Sequence, residues 1–449
     1  DIALEALNGK SSRYGQLWRY FDGEQPLRYS SERLHELFRA LDVRFVENIC
    51  AVVVNATYDR IQLERFTVEG SDELTARLNQ IWKATELDLD AEDVTLASLV
   101  CGEGYVVAWK EDDDIQAFYH DPRLCYVHYD PQNPRKKLWG AKWWNEAIDT
   151  EGKPAERTRV TLYYPDYLEY WISTKKPDDA KSAKHYELLE REGLGNPAEN
   201  PFGQVPIFHF RRERRRVLSE LNDIISLQDA VNKLLSDMMC CSEYASFMQR
   251  WIVTGADADN IKNVQYEHWV IPPGDKDQEP TKVGQFEPAD LTQFLEAINS
   301  LVATVGVITR TPKHYFFQQG GDPSGEALLT QEAPLNKKCQ RYINRLGNTW
   351  QRVGAFLLEL DGAGALDPET INPIFAPPQS VLLKTTSEIR KSDVESGIPL
   401  QTCLRREGWT EQEIADMDED RQAEQSSRST SLASAVLEQE RRFNQGEVE

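Results

Sequence analysis

Apolar positions recur at helical spacing through the first 95 residues. Residues 31–41 place Leu34, Leu37, Phe38 and Leu41 on one face, with Ser31 as a cap. Residues 43–58 carry Val46, Ile49, Val53 and Val54 in the same way, and 71–84 repeat the theme through Leu74, Leu78, Ile81 and Trp82. From about residue 95 the period shortens to two. Segments 105–109 and 115–119 flank an acidic run at 111–114, which predicts a β-hairpin with a solvated turn. Asp121-Pro122-Arg123 and Asp130-Pro131 punctuate turns. Segments 139–144, 159–164, 168–173 and 205–210, rich in Tyr, Trp and Phe, read as further antiparallel strands, with a polar loop at 175–184.

The second half returns to long helices. Leu218, Leu221, Ile224, Ile225, Val231, Leu234, Leu235, Met238 and Ala245 form one stripe over 219–247, a helix of roughly 43 Å. Residues 251–286 break the period with Gly255, Pro272-Pro273-Gly274 and Pro280, leaving short β-like pieces at 251–254 and 268–271. A second helix restarts at Glu287-Pro288, with Leu291, Phe294, Leu295, Ile298, Leu301, Val302 and Val305 on its stripe. Two helices flanking a compact insertion describe a stalk with a small head. Residues 311–325 then form a loop in which Tyr315, Phe316 and Phe317 adjoin Gln318, Gln319, Gly320 and Gly321; three adjacent aromatics are not expected to share one buried face. A last long helix spans 324–360, with Leu328, Leu335, Cys339, Tyr342, Leu346, Trp350, Val353, Leu357 and Leu360 inward. Its Lys337, Lys338, Arg341, Arg345 and Arg352 lie off that stripe, and Pro334 is expected to kink it. Shorter helices follow at 380–425, with a stop and restart at Gly397-Ile398-Pro399 and a capping box from Thr410 to Glu413. Residues 422–449 are polar and Ser-rich.

Charge narrows the function classes. The 449 residues hold 51 Lys+Arg against 74 Asp+Glu, a net charge of −23. Such a chain does not coat nucleic acid electrostatically, although it can touch DNA without gripping it. The one strongly basic run, 211–216, reads either as a solvated strand-to-helix junction or as a contact with nucleic acid or a neighbour's acidic surface. No run of about 18 apolar residues suggests a membrane span, and no secretory signal is expected. Seven scattered cysteines without a CxxC pair read as reduced, mostly buried thiols.

Catalytic chemistry is sparse. There is no phosphate loop and no GxSxG elbow, and Gly102-x-Gly104 follows a helix and precedes a strand, the wrong order for a dinucleotide site. The seven histidines show no HxxxH or HExxH spacing, so no metal or cofactor is expected. Asp112 and Asp114 sit in a turn, where solvation explains them. Two other classes compete with a structural subunit: a DNA-processing enzyme whose carboxylates are brought together by folding, and a generic adaptor module.

Several motifs resemble the portal proteins of tailed bacteriophages, of the siphovirus type. They are Tyr20-Phe21-Asp22-Gly23-Glu24-Gln25-Pro26-Leu27, Gly102-Glu103-Gly104-Tyr105-Val106-Val107, Leu227-Gln228-Asp229-Ala230-Val231-Asn232, and most specifically Thr311-Pro312-Lys313-His314-Tyr315 through Gly320-Gly321-Asp322-Pro323-Ser324-Gly325 to Ala333-Pro334-Leu335-Asn336-Lys337-Lys338. The resemblance implies an α+β, portal-type fold: a mixed α/β wing (1–215), stem helices (216–247 and 287–310), a small β-containing clip (248–286), a tunnel loop (311–325), a long kinked wing helix with its following segment (326–375), a helical crown (376–425) and a tail (426–449). It implies a non-enzymatic ring, typically of twelve subunits, at one vertex of the capsid, assembled in the host cytoplasm. Double-stranded DNA passes through it on packaging and ejection. Its partners are the terminase large subunit, a head-completion adaptor, and the major capsid and scaffolding proteins, with no membrane. Lys313, His314, Tyr315, Phe316, Phe317, Gln318, Gln319, Gly320 and Gly321 would then meet the channel. Lys337, Lys338 and Arg341 would make weak DNA or intersubunit contacts. Asp257, Asp259, Lys262, Glu267, Asp275 and Lys276 would belong to the docking clip.

Overall fold

The computed structural model describes residues 1–28, 46–111, 114–150, 153–189, 195–213, 215–246, 250–253, 282–286, 290–317, 325–379, 383–407, 409, 414–415 and 417–422. The chain divides into two units, Asp1–Pro378 and Gln379–Glu449.

The first unit opens with α1 (Ile2–Asp22), stopped by Gly23 in the left-handed region, and α2 (Ile49–Tyr58), where the Asn48 side chain accepts from the Ala51 amide. Strand β1 (Leu63–Val68) leads to α3 (Asp72–Ala84), capped by Ser71 with Asp72 and Glu73 favouring its first turn, and then α4 (Leu87–Val100). Strands β2 (Glu103–Glu111), β3 (Asp114–His120), β4 (Cys125–Tyr129), β5 (Lys137–Thr150), β6 (Lys153–Tyr163), β7 (Tyr167–Ser173), β8 (Tyr186–Leu188), β9 (Ala198–Glu199) and β10 (Ile207–Arg211) follow. All their pairings are antiparallel. One sheet runs β10-β2-β3 and the other β4-β5-β6-β7-β8, with β9 also on β7. Helix α5 (Ile225–Ser246) packs along α6 (Thr292–Thr309), and between them β11 (Arg250–Val253) pairs with β12 (Lys282–Gln285). Helix α7 (Gly325–Leu360) and strand β13 (Ile371–Phe375), which returns to pair with β1, complete the unit. The second unit holds α8 (Leu383–Glu395) and α9 (Leu400–Arg406), separated by Gly397 at φ +94°.

Helix α7 forms the spine of the core. Its inward stripe from Leu335 to Leu360 is buried as its spacing predicts, and Trp350 meets Trp82 and Phe210 at ring-centroid distances of 5.1 and 4.5 Å. Phe66 closes the group at 5.0 Å from Trp82. These edge and tilted contacts join α3, α7, β1 and β10 in one apolar body. Gly102 explains part of the Gly102-x-Gly104 motif. It sits at φ +89°, and a Cβ there would lie 2.6 Å from the carbonyl carbon of Leu218. The motif brings two backbones into contact, which glycine alone permits.

The expected order of helices and strands is present, with several corrections. Segment 1–95 is not wholly helical, because β1 interrupts it. Only Phe66 and Val68 of β1 are fully buried, too few for an alternating signal, and its partner lies about 300 residues away. Strand β4 passed unrecognised between two turns. The long helix begins at Ile225 and not at 219, since residues 219–224 make a tight turn in which Ser219 Oγ donates to the Val100 carbonyl at 2.5 Å. The partner of β11 is β12; the 268–271 piece lies outside the described residues, as do the whole 31–41 helix and the Thr410–Glu413 box. Pro334 stands inside α7 and its helix continues through it. All seven cysteines are free, five of them buried. Helix α6 carries Glu296 as its single charge and is long and apolar enough, by length and composition, to cross a membrane.

Candidate functional site

The loop that follows α6 is rooted by backbone geometry. Helix α6 ends at Arg310, a non-glycine residue at φ +62°, and the Thr311 amide donates back to the Gly306 carbonyl. Gly306 leaves room for this return, since a Cβ there would stand 3.0 Å from the Thr311 oxygen and 3.4 Å from the Phe316 ring. Lys313, His314 and Tyr315 make one 3-10 turn. Arg60 then clamps the turn to α7. Its guanidinium donates to Tyr315 Oη at 2.7 Å, Asn336 Oδ1 at 2.5 Å and the Pro378 carbonyl at 2.9 Å, and pairs with Glu332 at 3.1 Å.

This arrangement corrects the reading of the three aromatics. Tyr315, Phe316 and Phe317 are each half-buried and all pack against the main core. The tight turn rotates successive side chains, so three neighbours reach one surface that a strand or helix would deny them. Lys313 and His314 are exposed, with His314 Nε2 3.5 Å from Glu332. Gln318, Gln319, Gly320 and Gly321 lie outside the described residues, as do Asp257, Asp259, Lys262, Glu267, Asp275 and Lys276.

Beneath the loop root, Glu220 collects three elements. Its buried carboxylate receives Lys338 Nζ at 2.5 Å, Arg212 Nη1 at 2.7 Å and Tyr342 Oη at 2.9 Å. Lys338 donates also to the Thr309 carbonyl at 2.9 Å, and Arg345 to the Arg212 carbonyl at 2.5 Å. Burial alone would raise the Glu220 pKa, but Lys338 and Arg212 outweigh it and hold the carboxyl below its usual range. Two expectations change as a result. Lys338 is not available for DNA or a neighbouring subunit, because it is buried in a pair within the chain. Arg212 is no solvated junction residue, since only 11% of its side chain is exposed. Lys337 and Arg341 are exposed on α7.

A second buried carboxylate, Glu103, looks catalytic at first sight. Lys10 lies at 2.5 Å, Tyr14 Oη at 2.6 Å, His209 Nε2 at 2.8 Å and Tyr105 Oη at 3.1 Å. Four donors occupy the lone-pair sites of this carboxylate, leaving none to accept a substrate proton. Burial pushes His209 down to about 4, so it is neutral and takes the Tyr129 hydroxyl at Nδ1, 3.1 Å away. The cluster joins α1, β2 and β10. Among the described residues, no three His, Cys, Asp or Glu side chains are grouped to hold a metal.

Helix pair, β-ribbon insertion, clamped loop and spine helix occur in this chain order, and the sequence match to known proteins spans them all. The family described as "Phage portal protein, SPP1 Gp6-like" matches residues 5–427. The chain belongs to this portal family. It is similar to the portal protein of Mycobacterium phage D29, 24% identical over 341 residues, which covers 71% of this chain and 66% of that relative. It is also similar to the portal protein of Mycobacterium phage L5, 23% identical over 372 residues, covering 76% and 72%. The chain thus spans about two thirds of the length of the curated relatives it matches.

Sequence reasoning missed Arg60, Glu220 and Thr309, which do most to position the portal chain's loop. Glu220 could have been found: it is a carboxylate flanked in sequence by Leu218 and Leu221, just after a run of arginines. We expect Glu220→Ala to destabilise the first unit by about 3–5 kcal/mol, because Arg212 and Lys338 would be left buried without a counter-charge. Thermal or urea unfolding measures this, and a Glu220→Ala/Lys338→Met double variant should lose less than the sum of the single changes. An unchanged midpoint for Glu220→Ala would remove the node from the account.

Proposed function

We propose that this portal-family chain assembles into a ring of about twelve copies at one capsid vertex and forms the channel for double-stranded DNA during packaging and ejection. The observation that carries the reading is the family match across residues 5–427. In this reading residues 1–215 with 326–375 make the wing, α5 and α6 the stem, 248–286 the clip, 311–325 the tunnel loop, and 376–425 the crown. The terminase large subunit and a head-completion adaptor dock on the clip, and capsid and scaffolding proteins surround the wing. The chain acts as a structural conduit and not as an enzyme. Exposed Leu295, Val307 and Ile308 on α6 support a ring, since they offer apolar surface to a neighbouring copy.

Native mass measurement of the purified chain tests the assembly. The expected species is near twelve times 51.5 kDa, or a ring of neighbouring size; a chain that stays monomeric at all concentrations would overturn the reading.

The clip assignment has its own check. Removing residues 251–286 should leave a soluble first unit and an assembled particle that does not fill with DNA. Normal filling would move the docking surface elsewhere.

The loop is expected to touch DNA weakly. Gln318 and Gln319 add hydrogen-bonding groups without charge, and few neutralised phosphates mean a low barrier to sliding. Gln318→Lys with Gln319→Lys should therefore slow packaging most at low salt while leaving the ring intact. Wild-type rates at low salt would show that the loop does not line the channel.

A further inference from the structure

Helix α7 carries five cations (Lys337, Lys338, Arg341, Arg345 and Arg352) and no carboxylate between Glu332 and Glu359. In a chain of net charge −23 this is a strong local reversal. Part of that face forms one wall of a cleft of about 500 Å³, with the end of β10 and the β4–β5 connection as the others. Arg345 and Arg352 enter it from α7, Arg211 from β10, and Arg135 and Lys137 from the β4–β5 side, against one carboxylate, Glu369. Among the described residues none of these five cations is in an ion pair. Lys137 Nζ donates only to the Ile207 and Val205 carbonyls, at 2.6 and 3.3 Å, and stands 4.5 Å from the centroid of the Phe208 ring. The Arg211 guanidinium lies over the Tyr129 ring at 4.9 Å, which orients it without neutralising it. Arg211 and Arg135 also line an adjoining cleft with Arg215, and Arg345 borders the cleft at the Glu220 node.

We propose that the cleft between α7, β10 and the β4–β5 connection is a binding site for a multivalent phosphate anion, either an oligophosphate or consecutive phosphates of a nucleic-acid backbone. Three features select this chemistry. Four arginines and a partly protonated Lys137 against one carboxylate leave several positive charges to balance, and one acidic side chain from a neighbouring protein would supply a single charge. Four of the five are arginines, whose planar fork matches phosphate oxygens two at a time. The remaining polar lining, Asn344, Asn348 and Thr349, provides neutral donors of the kind that complete phosphate contacts. Burial and the nearby Arg352 push Lys137 down to about 7, the cost of a cation held without an anion. The site lies within one chain, so it does not depend on the channel reading.

The test is calorimetric titration of the 449-residue chain with sodium tripolyphosphate, inorganic phosphate and a short DNA duplex, all at one fixed ionic strength. Tripolyphosphate should bind one per chain and more tightly than inorganic phosphate. Lys137→Met with Arg352→Gln should weaken it about tenfold or more, whereas Arg157→Gln on the distant strand β6 should change it less than about twofold. If the double variant does not fold, Arg211→Gln alone carries the same expectation. Displacement of tripolyphosphate by the duplex identifies backbone phosphates as a source, and its failure identifies a small anion; both outcomes keep the site. Three results would overturn it: no saturable binding, equal binding by the cleft and control variants, or binding by the isolated chain that disappears in the assembled ring. The last would mean that a neighbour's acidic side chains occupy the cleft.

Discussion

A buried carboxylate has to be matched, and at Glu220 that requirement dictates how four segments meet. A charge taken from water costs several kcal/mol unless partners replace the lost hydration. Here they come from the end of the basic run (Arg212) and from α7 (Lys338 and Tyr342), while the Glu220 amide donates to Leu99 at the end of α4. Lys338 reaches on to Thr309, so the last turn of α6 is held by the same group. Neither the basic run nor α7 can shift alone without stranding a charge. Apolar packing along α7 gives the first unit most of its cohesion, but such packing is not directional. The Glu220 node supplies direction, and with it the position of the residues that start the loop.

The loop root is held at both ends of a short stretch. Lys338 takes the carbonyl of Thr309, and Arg60 takes the hydroxyl of Tyr315, six residues later. Both clamps lead to α7, since Lys338 belongs to it and Arg60 also bonds its Asn336 and Glu332. Conformational entropy lost in ordering 309–317 is therefore offset by charge-assisted bonds that are already partly buried. The aromatic triplet belongs to this foundation. Its three rings pack against the main core.

Much of this was legible from the sequence, and the parts that were not share a cause. The stripe of α7 was visible because nine apolar residues repeat at helical spacing, and all of those from Leu335 onward are buried. The β2–β3 hairpin announced itself through alternation on each side of an acidic turn. Strand β1 did not, because its partner β13 is remote and only two of its side chains are fully buried. The Glu103 and Glu220 clusters were equally hidden, because they draw on partners as far as 106 positions from Glu103 (His209) and 122 positions from Glu220 (Tyr342). Local patterns reveal elements. Polar sites depend on which elements meet, and no window along the chain contains that information.

The off-stripe cations of α7 show how far a pattern goes before packing decides. By sequence, Lys337 and Lys338 are adjacent and equivalent. In the fold, Lys337 is exposed and Lys338 is buried against Glu220, because one helical step of about 100° carries the second inward. Arg345 and Arg352, two turns apart on the same helix, open instead onto a cleft where no carboxylate neutralises them. One helix thus presents an apolar face to the core, a paired cation to a buried acid, and unpaired cations to a cavity. The unpaired set is the costly one for a chain alone, since like charges gathered in one concavity repel each other. A fold that keeps them together must draw on a stable apolar body, which the Trp82–Trp350–Phe210 contacts provide, and it leaves a positive potential that an external anion can relieve.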